Sequence, residues 1–277
     1  MNRTLLSVLF VVTLSGTAAY SAQQSTGRVG CPHCINDGSE ISNLLQQADS
    51  LYAAFKTHEA LHALSRVLQL DPNNFEALAK SARGHIDLGD MIPQSDPAAR
   101  DKKLKEYRTA EDFARKALKI DPQSTWGHMY VAASLGKVAS QSSVSQQIDL
   151  SGEIKAEADK AIEADPQNGF AYHILGVWHR RMAEVGGTSR VFASAFLWRS
   201  IPRGDLNTSV DYLKKAIALN PTVISHQLEI AKTYIDLGKY DLARNALRSS
   251  LAQPIQFSDD ANHKREAEKL LAEIADR

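Results

Sequence analysis

Four times along the chain, an Ala- and Leu-rich run ends in Asp-Pro or Asn-Pro. The strings are SRVLQLDP closing at Pro72, ARKALKIDP at Pro122, ADKAIEADP at Pro166 and LKKAIALNP at Pro221. Proline cannot continue a helix, and it pushes the residue before it out of the helical region. Each string therefore reads as a helix with a fixed stop. Five places before each proline stand Val67, Ala117, Ala161 and Ala216, three of them small enough for a neighbouring helix to approach closely. A recurring stop with a recurring small residue marks stacked helical units, none of which buries its apolar face alone.

Composition agrees with this and narrows the function classes. Of 277 residues, 43% are hydrophobic and 23% charged, which excludes a disordered or fibrous chain. The 32 basic and 32 acidic residues cancel, so no basic excess calls for nucleic acid. Two cysteines are too few for a disulfide framework.

The repeated pattern resembles the tetratricopeptide repeat (TPR), a helix–turn–helix unit whose second helix ends at proline. Ending each unit two residues after its proline gives units 41–74, 75–124, 125–168, 169–223 and 224–257. The three middle units carry insertions. Unit one has Leu44, Ala48 and Leu51, then Ala60 and Leu64; unit five has Ile230, Ala231 and Tyr234, then Ala243 and Leu247. Unit two departs from the pattern, with Ser81 and His85 where an apolar and an aromatic residue are usual. Helical periodicity supports the reading independently, since Ala60, Leu64, Val67 and Leu68 fall on one stripe. Residues 258–277 read as a charged capping helix with Leu270, Leu271 and Ile274 on one face. The expected fold is an all-α, TPR-like helical solenoid of about five helix pairs.

The middle of the chain is more specific. HMYVAASLGKVA (128–139) precedes a helix with Ile174-Leu175-Gly176-Val177-Trp178. An insertion with Phe192, Phe196 and Trp198 then leads to Pro202, and Lys232-Thr233-Tyr234 follows. Over roughly 120–250 this order is similar to the regulator of microtubule dynamics family. The resemblance implies a non-catalytic helical domain with a shaped groove. Animal members are associated with microtubules and organelle membranes, and the family's TPR domain has been linked to phospholipid binding.

The N-terminus reads as a targeting segment. Arg3 precedes the apolar run Leu5–Leu14, and small residues Ser15 to Ala19 follow, which fits a secretory signal over 1–22. That run is shorter than a membrane span requires. The expectation is an exported protein, periplasmic or secreted, with no transmembrane segment after cleavage. Such a chain would not meet microtubules. Residues 23–40 then form a polar linker.

Four features compete for a chemical role. His58-Glu59-Ala60-Leu61-His62 matches the H-E-x-x-H zinc string, but His58 and His62 lie opposite the apolar stripe and no third ligand stands out downstream. No metal or cofactor is expected. Cys31-Pro32-His33-Cys34 can form a local disulfide in an exported tail, or serve a redox or metal role. In the insertion 186–206, Phe192, Phe196 and Trp198 form part of an apolar run surrounded by Arg180, Arg181, Arg190, Arg199 and Arg203. Apolar lining beside arginines suits an amphiphile with an anionic head, and a core-filling helix with solvated arginines explains the same residues. The carboxylate clamp of chaperone-binding TPRs is absent, because its sites carry pairs such as Leu45/Asp49 and His173/Val177. The leading expectation is a non-enzymatic scaffold that binds a protein or peptide in its groove. The candidate groove residues are Trp178, Arg181, Phe196, Trp198, Arg199 and Arg203. A module for anionic lipid using the insertion is the alternative, and a C-x-x-C redox or metal protein is the third reading.

Overall fold

The structure, a computed structural model, describes residues 34–93, 95, 96, 98–184 and 202–277. These residues form eleven α-helices and no strand. The helices are α1 (Cys34–Ala53), α2 (Thr57–Leu70), α3 (Phe75–Met91), α4 (Ala99–Ile120), α5 (Thr125–Ser140) and α6 (Val144–Ala164), followed by α7 (Gly169–Glu184), α8 (Leu206–Leu219), α9 (Ile224–Asp236), α10 (Tyr240–Ala252) and α11 (Asp260–Glu273). They pair as α1/α2, α3/α4, α5/α6, α7/α8 and α9/α10, with α11 closing the end. One boundary differs from expectation. The linker placed over 23–40 is helical from Cys34 onward, and nothing in the structure explains this early start.

The Asp-Pro strings act as relays between units. Asp71, Asp121 and Asp165, all extended, and Asn220 end α2, α4, α6 and α8, and each donates its N–H to the carbonyl four residues back. The carboxylates of Asp71, Asp121 and Asp165 then accept from the N–H two residues on. One residue later, Asn74, Ser124 and Asn168 cap the next helix by accepting from Ala77, Gly127 and Ala171. Donors at the helix start that would otherwise lack partners are thus satisfied from within the connection. Val223, at the fourth connection, offers no such side chain.

The small residues sit where helices cross. Val67, Ala117, Ala161 and Ala216 are fully buried. Ala60, Leu64 and Val67 form the buried stripe of α2, while His58 and His62 are exposed. In unit two, His85 stands in for the usual aromatic: it stacks on Phe113 with ring centroids 5.4 Å apart, and its Nδ1 lies 2.7 Å from Glu106 Oε2. Ala267 of α11 and Ile274 just beyond its end join the last core cluster, with Leu270 and Leu271 packed beside them. This covers the open end of the stack.

Successive first helices touch: α3 on α5, α5 on α7, α7 on α9 and α9 on α11. No comparable packing joins consecutive second helices among the described residues, so these splay outward. The first helices therefore line the concave face, and what projects from them decides what that face can bind. No described helix is long and apolar enough to cross a membrane.

Candidate functional site

One half of the concave face is aromatic. Trp126 and Tyr130 lie one turn apart on α5, with ring centroids 6.2 Å apart, and Trp126 lies 6.5 Å from Phe170 at the start of α7. Phe170 meets His226 of α9 edge-on at 5.4 Å, and His226 lies 4.8 Å from His173. Trp126 is 42% exposed, a large apolar surface left uncovered on an inner face. Such exposure within a concavity is the usual mark of a recognition surface.

The other half is charged and internally paired. Asp90 of α3 accepts from Lys137 Nζ at 2.6 Å and from the Tyr107 hydroxyl at 2.8 Å. Burial opposes the Lys137 charge, but the Asp90 and Asp259 carboxylates outweigh it and raise its pKa. Asp87 is pushed up to about 7, first by burial, with Arg83 opposing and Asp259 and Asp90 adding repulsion. Glu229 of α9 accepts from Lys232 at 2.8 Å and from Arg180 of α7 at 2.8 Å. Burial disfavours its charge, and these two cations reverse that, holding the carboxyl well below the usual range.

Burial favours the neutral form of the histidine pair. His226 Nδ1 and His173 Nδ1 lie 3.1 Å apart, and burial drives both pKa values down, that of His173 to about 4. Among the described residues, the grouping with metal-ligating atoms in reach of one another is Asp259, Asp260 and His263. There Asp260 Oδ2 already accepts from the N–H groups of Gln256 and Phe257 at 2.8 and 2.9 Å. Its role is to cap the turn before α11.

The sequence-derived candidates scatter. Trp178 is not a groove residue: it lies in the core with Ile154 and Met182, 6% exposed, and its indole N–H donates to the Ser151 carbonyl at 2.8 Å. Its position faces the second helix of the preceding pair rather than the concavity. Arg181 is exposed, its Nη1 lying 3.4 Å from Glu184 Oε2, and Arg203 is exposed. Phe196, Trp198, Arg199 and Cys31 lie outside the described residues. A cavity of about 690 Å³ opens on the outer side, where α2, α3 and α4 expose Leu61, Leu68, Phe113 and Ile120. It is the wide valley between two splayed second helices, and its polar lining is Ser65, Gln69, Asn73, Ser81 and His85 with Lys116 and Lys119.

Sequence reasoning missed Trp126 and Phe170. Each is the second residue of its unit, units three and four, so the same register carries an aromatic twice in succession. That repetition is the signal that could have found them.

Comparison with known proteins places the chain. The family model for regulator of microtubule dynamics protein 1-3 matches residues 44–275. Regulator of microtubule dynamics protein 1 of Bos taurus is 27% identical over 239 residues, covering 86% of this chain and 73% of that protein. The Mus musculus protein 1 is 26% identical, covering 86% and 76%. Among solved structures, a thermophilic TPR protein of Thermus thermophilus superposes with a TM-score of 0.59 at 18% identity, covering 83% of this chain and 99% of its own. The type IV pilus biogenesis factor PilW gives 0.52 at 18% identity, covering 85% and 88%. At such identity these two show the fold alone.

These findings overturn one expectation. The N-terminal residues point to an exported protein, periplasmic or secreted. The chain's relatives are instead animal regulators of microtubule dynamics, and microtubules belong to the cell interior. The exclusion of microtubules falls with that reading. The apolar run Leu5–Leu14 and the whole of residues 1–22 lie outside the described residues.

Proposed function

The chain belongs to the regulator of microtubule dynamics protein 1-3 family, and from that premise we propose that it is a non-catalytic scaffold. Its concave face binds a segment of a partner protein, and the names of its relatives point to a partner that acts at microtubules. The observation that carries this reading is the aromatic row of Trp126, Tyr130 and Phe170 on successive first helices, with Trp126 left 42% exposed. Aromatic side chains supply large contact area at low entropic cost, which is why they dominate binding energy at protein interfaces. The non-catalytic part rests on the TPR fold and on the pairing of the face's charges. Asp90 is engaged by Lys137 and Tyr107, and Glu229 by Lys232 and Arg180, an arrangement of structural pairs.

The test is capture from a cell extract with wild-type chain, Trp126→Ala and Phe170→Ala. The reading expects specific proteins, with tubulin or tubulin-bound proteins among them, to be lost from both variants while thermal stability is kept. Identical capture by all three folded chains would sink it.

A further inference from the structure

Residues 253–259 connect α10 to α11 without a helix of their own, and they cross to the concave face. Phe257 reaches the site: its ring lies 6.0 Å from Phe170, edge-on, and the Arg83 guanidinium carbon lies 5.6 Å from its centroid. The same guanidinium lies 4.9 Å from the Tyr52 ring. Phe257 thus fills a seat formed by Phe170 of α7 and Arg83 of α3, with Tyr52 of α1 holding the other side of the Arg83 guanidinium. It does in cis what an aromatic anchor of a partner would do in trans.

The rest of the connection is held weakly to that face. The hydrogen bonds described for residues 253–259 stay local: Gln253 to Ser250, Gln256 and Phe257 to Asp260, Asp260 to Phe257, and Asn262 and His263 to Asp259. Ser258 Oγ is buried with no hydrogen-bond partner, a cost that opening to water would relieve. Asp259 is brought near Asp87 and Asp90; burial, with repulsion from Asp90 and Asp260, raises its pKa despite His263 and Lys137. Ile255 stays 50% exposed instead of packing. The contacts of the Phe257 ring with Phe170 and Arg83 therefore oppose an unsatisfied hydroxyl and a like-charge cluster.

We propose that residues 253–259 are a displaceable occupant of the groove, and that the seat between Arg83 and Phe170 takes an aromatic residue of the partner. This rests on the proposed groove function and specifies its regulation. A tethered occupant competes at high effective concentration, and partner affinity falls by the fraction of time the seat is filled.

The experiment uses the full chain and a fluorescent synthetic peptide copying residues 252–261. Phe257→Ala should bind this peptide about tenfold or more tightly than wild type, as a seat filled nine-tenths of the time would require. Adding Arg83→Gln, or replacing the peptide's phenylalanine by alanine, should abolish the gain. A folded Phe257→Ala that binds no better than wild type overturns the proposal. If Phe257→Ala does not fold, hydrogen exchange on wild type decides. Amides of 255–258 that exchange at least about tenfold faster than those of α9 and α10 support displacement, and equal protection overturns it. The groove function is scored separately, by the Trp126→Ala capture. Capture that needs Trp126 but is unchanged by Phe257→Ala keeps the groove and discards the displaceable occupant.

Discussion

Leu213 of α8 lies directly against Gly176 of α7, so close that a β-carbon built on Gly176 would stand 2.5 Å from Leu213 Cγ and 3.3 Å from the Ser209 carbonyl oxygen. The Ser209 hydroxyl donates to the Gly176 carbonyl at 2.7 Å across the same crossing. Alanine gains roughly 1 kcal/mol over glycine in a helix interior, but overpacking against backbone costs about 1–3 kcal/mol. Because the backbone oxygen cannot rotate away, the crossing term should win. Gly176→Ala is expected to lower stability by about 1 kcal/mol in denaturant unfolding, and a gain would mean that the two helices separate freely.

Phe55 and Gly238 occupy the same place in the turns of the first and last pairs. Both have positive φ, 58° and 70°. Lys56 and Lys239, one residue on, each donate to the carbonyl five residues back at 2.8 Å. Only glycine adopts that conformation without steric cost, about 1–2 kcal/mol for other residues. Phe55 is 44% exposed, so little packing offsets it. Phe55→Gly should therefore raise the melting temperature, by about 1 kcal/mol of stability, and a clear drop would show that the ring contributes packing.

Glu229 and Glu184 both bind Arg180, which is 5% exposed. Removing a buried partner leaves an uncompensated charge, at a cost of about 3 kcal/mol. Glu229→Gln should cost roughly that, whereas Glu184→Gln, whose side chain is 41% exposed, should cost under about 1 kcal/mol. Equal effects in urea unfolding would place the pair in solvent.

His173 and His226 set an acid limit. Their folded pKa values lie below the ordinary value of 6.5, so the unfolded chain takes up protons that the folded chain refuses. Stability from this pair is whole above about pH 7 and is lost as pH falls from 6.5 toward 4, by up to about 1.4 kcal/mol per unit for each proton. His226→Asn removes one titrating ring, so the wild-type advantage over this variant should shrink between pH 7 and pH 5. An advantage constant over that range would contradict the assignment.

The fold was largely legible in the sequence because its signals are local. An Asp-Pro stop, a small residue five places earlier and an apolar stripe all lie within one helix. The relay from Asp71 to Asn74 is equally local, though the stop alone reveals only its first half. The proposed binding face was not legible in the same way. Arg83, Trp126, Phe170 and Phe257 come from four separate segments, and no window of sequence contains them together. Trp178 misled for the opposite reason, since its apolar bulk in a conspicuous motif serves the core through a hydrogen bond to Ser151.

Covalent capture from defined positions tests the central claim most directly. A photoreactive phenylalanine analogue at position 126, on the concave face, should cross-link a partner segment in cell extract. The same analogue at Phe113, beside the outer cavity, should yield no comparable adduct. Adducts that form at position 113 and not at position 126 would move the binding face to the outer valley between α2 and α4, and would contradict the account.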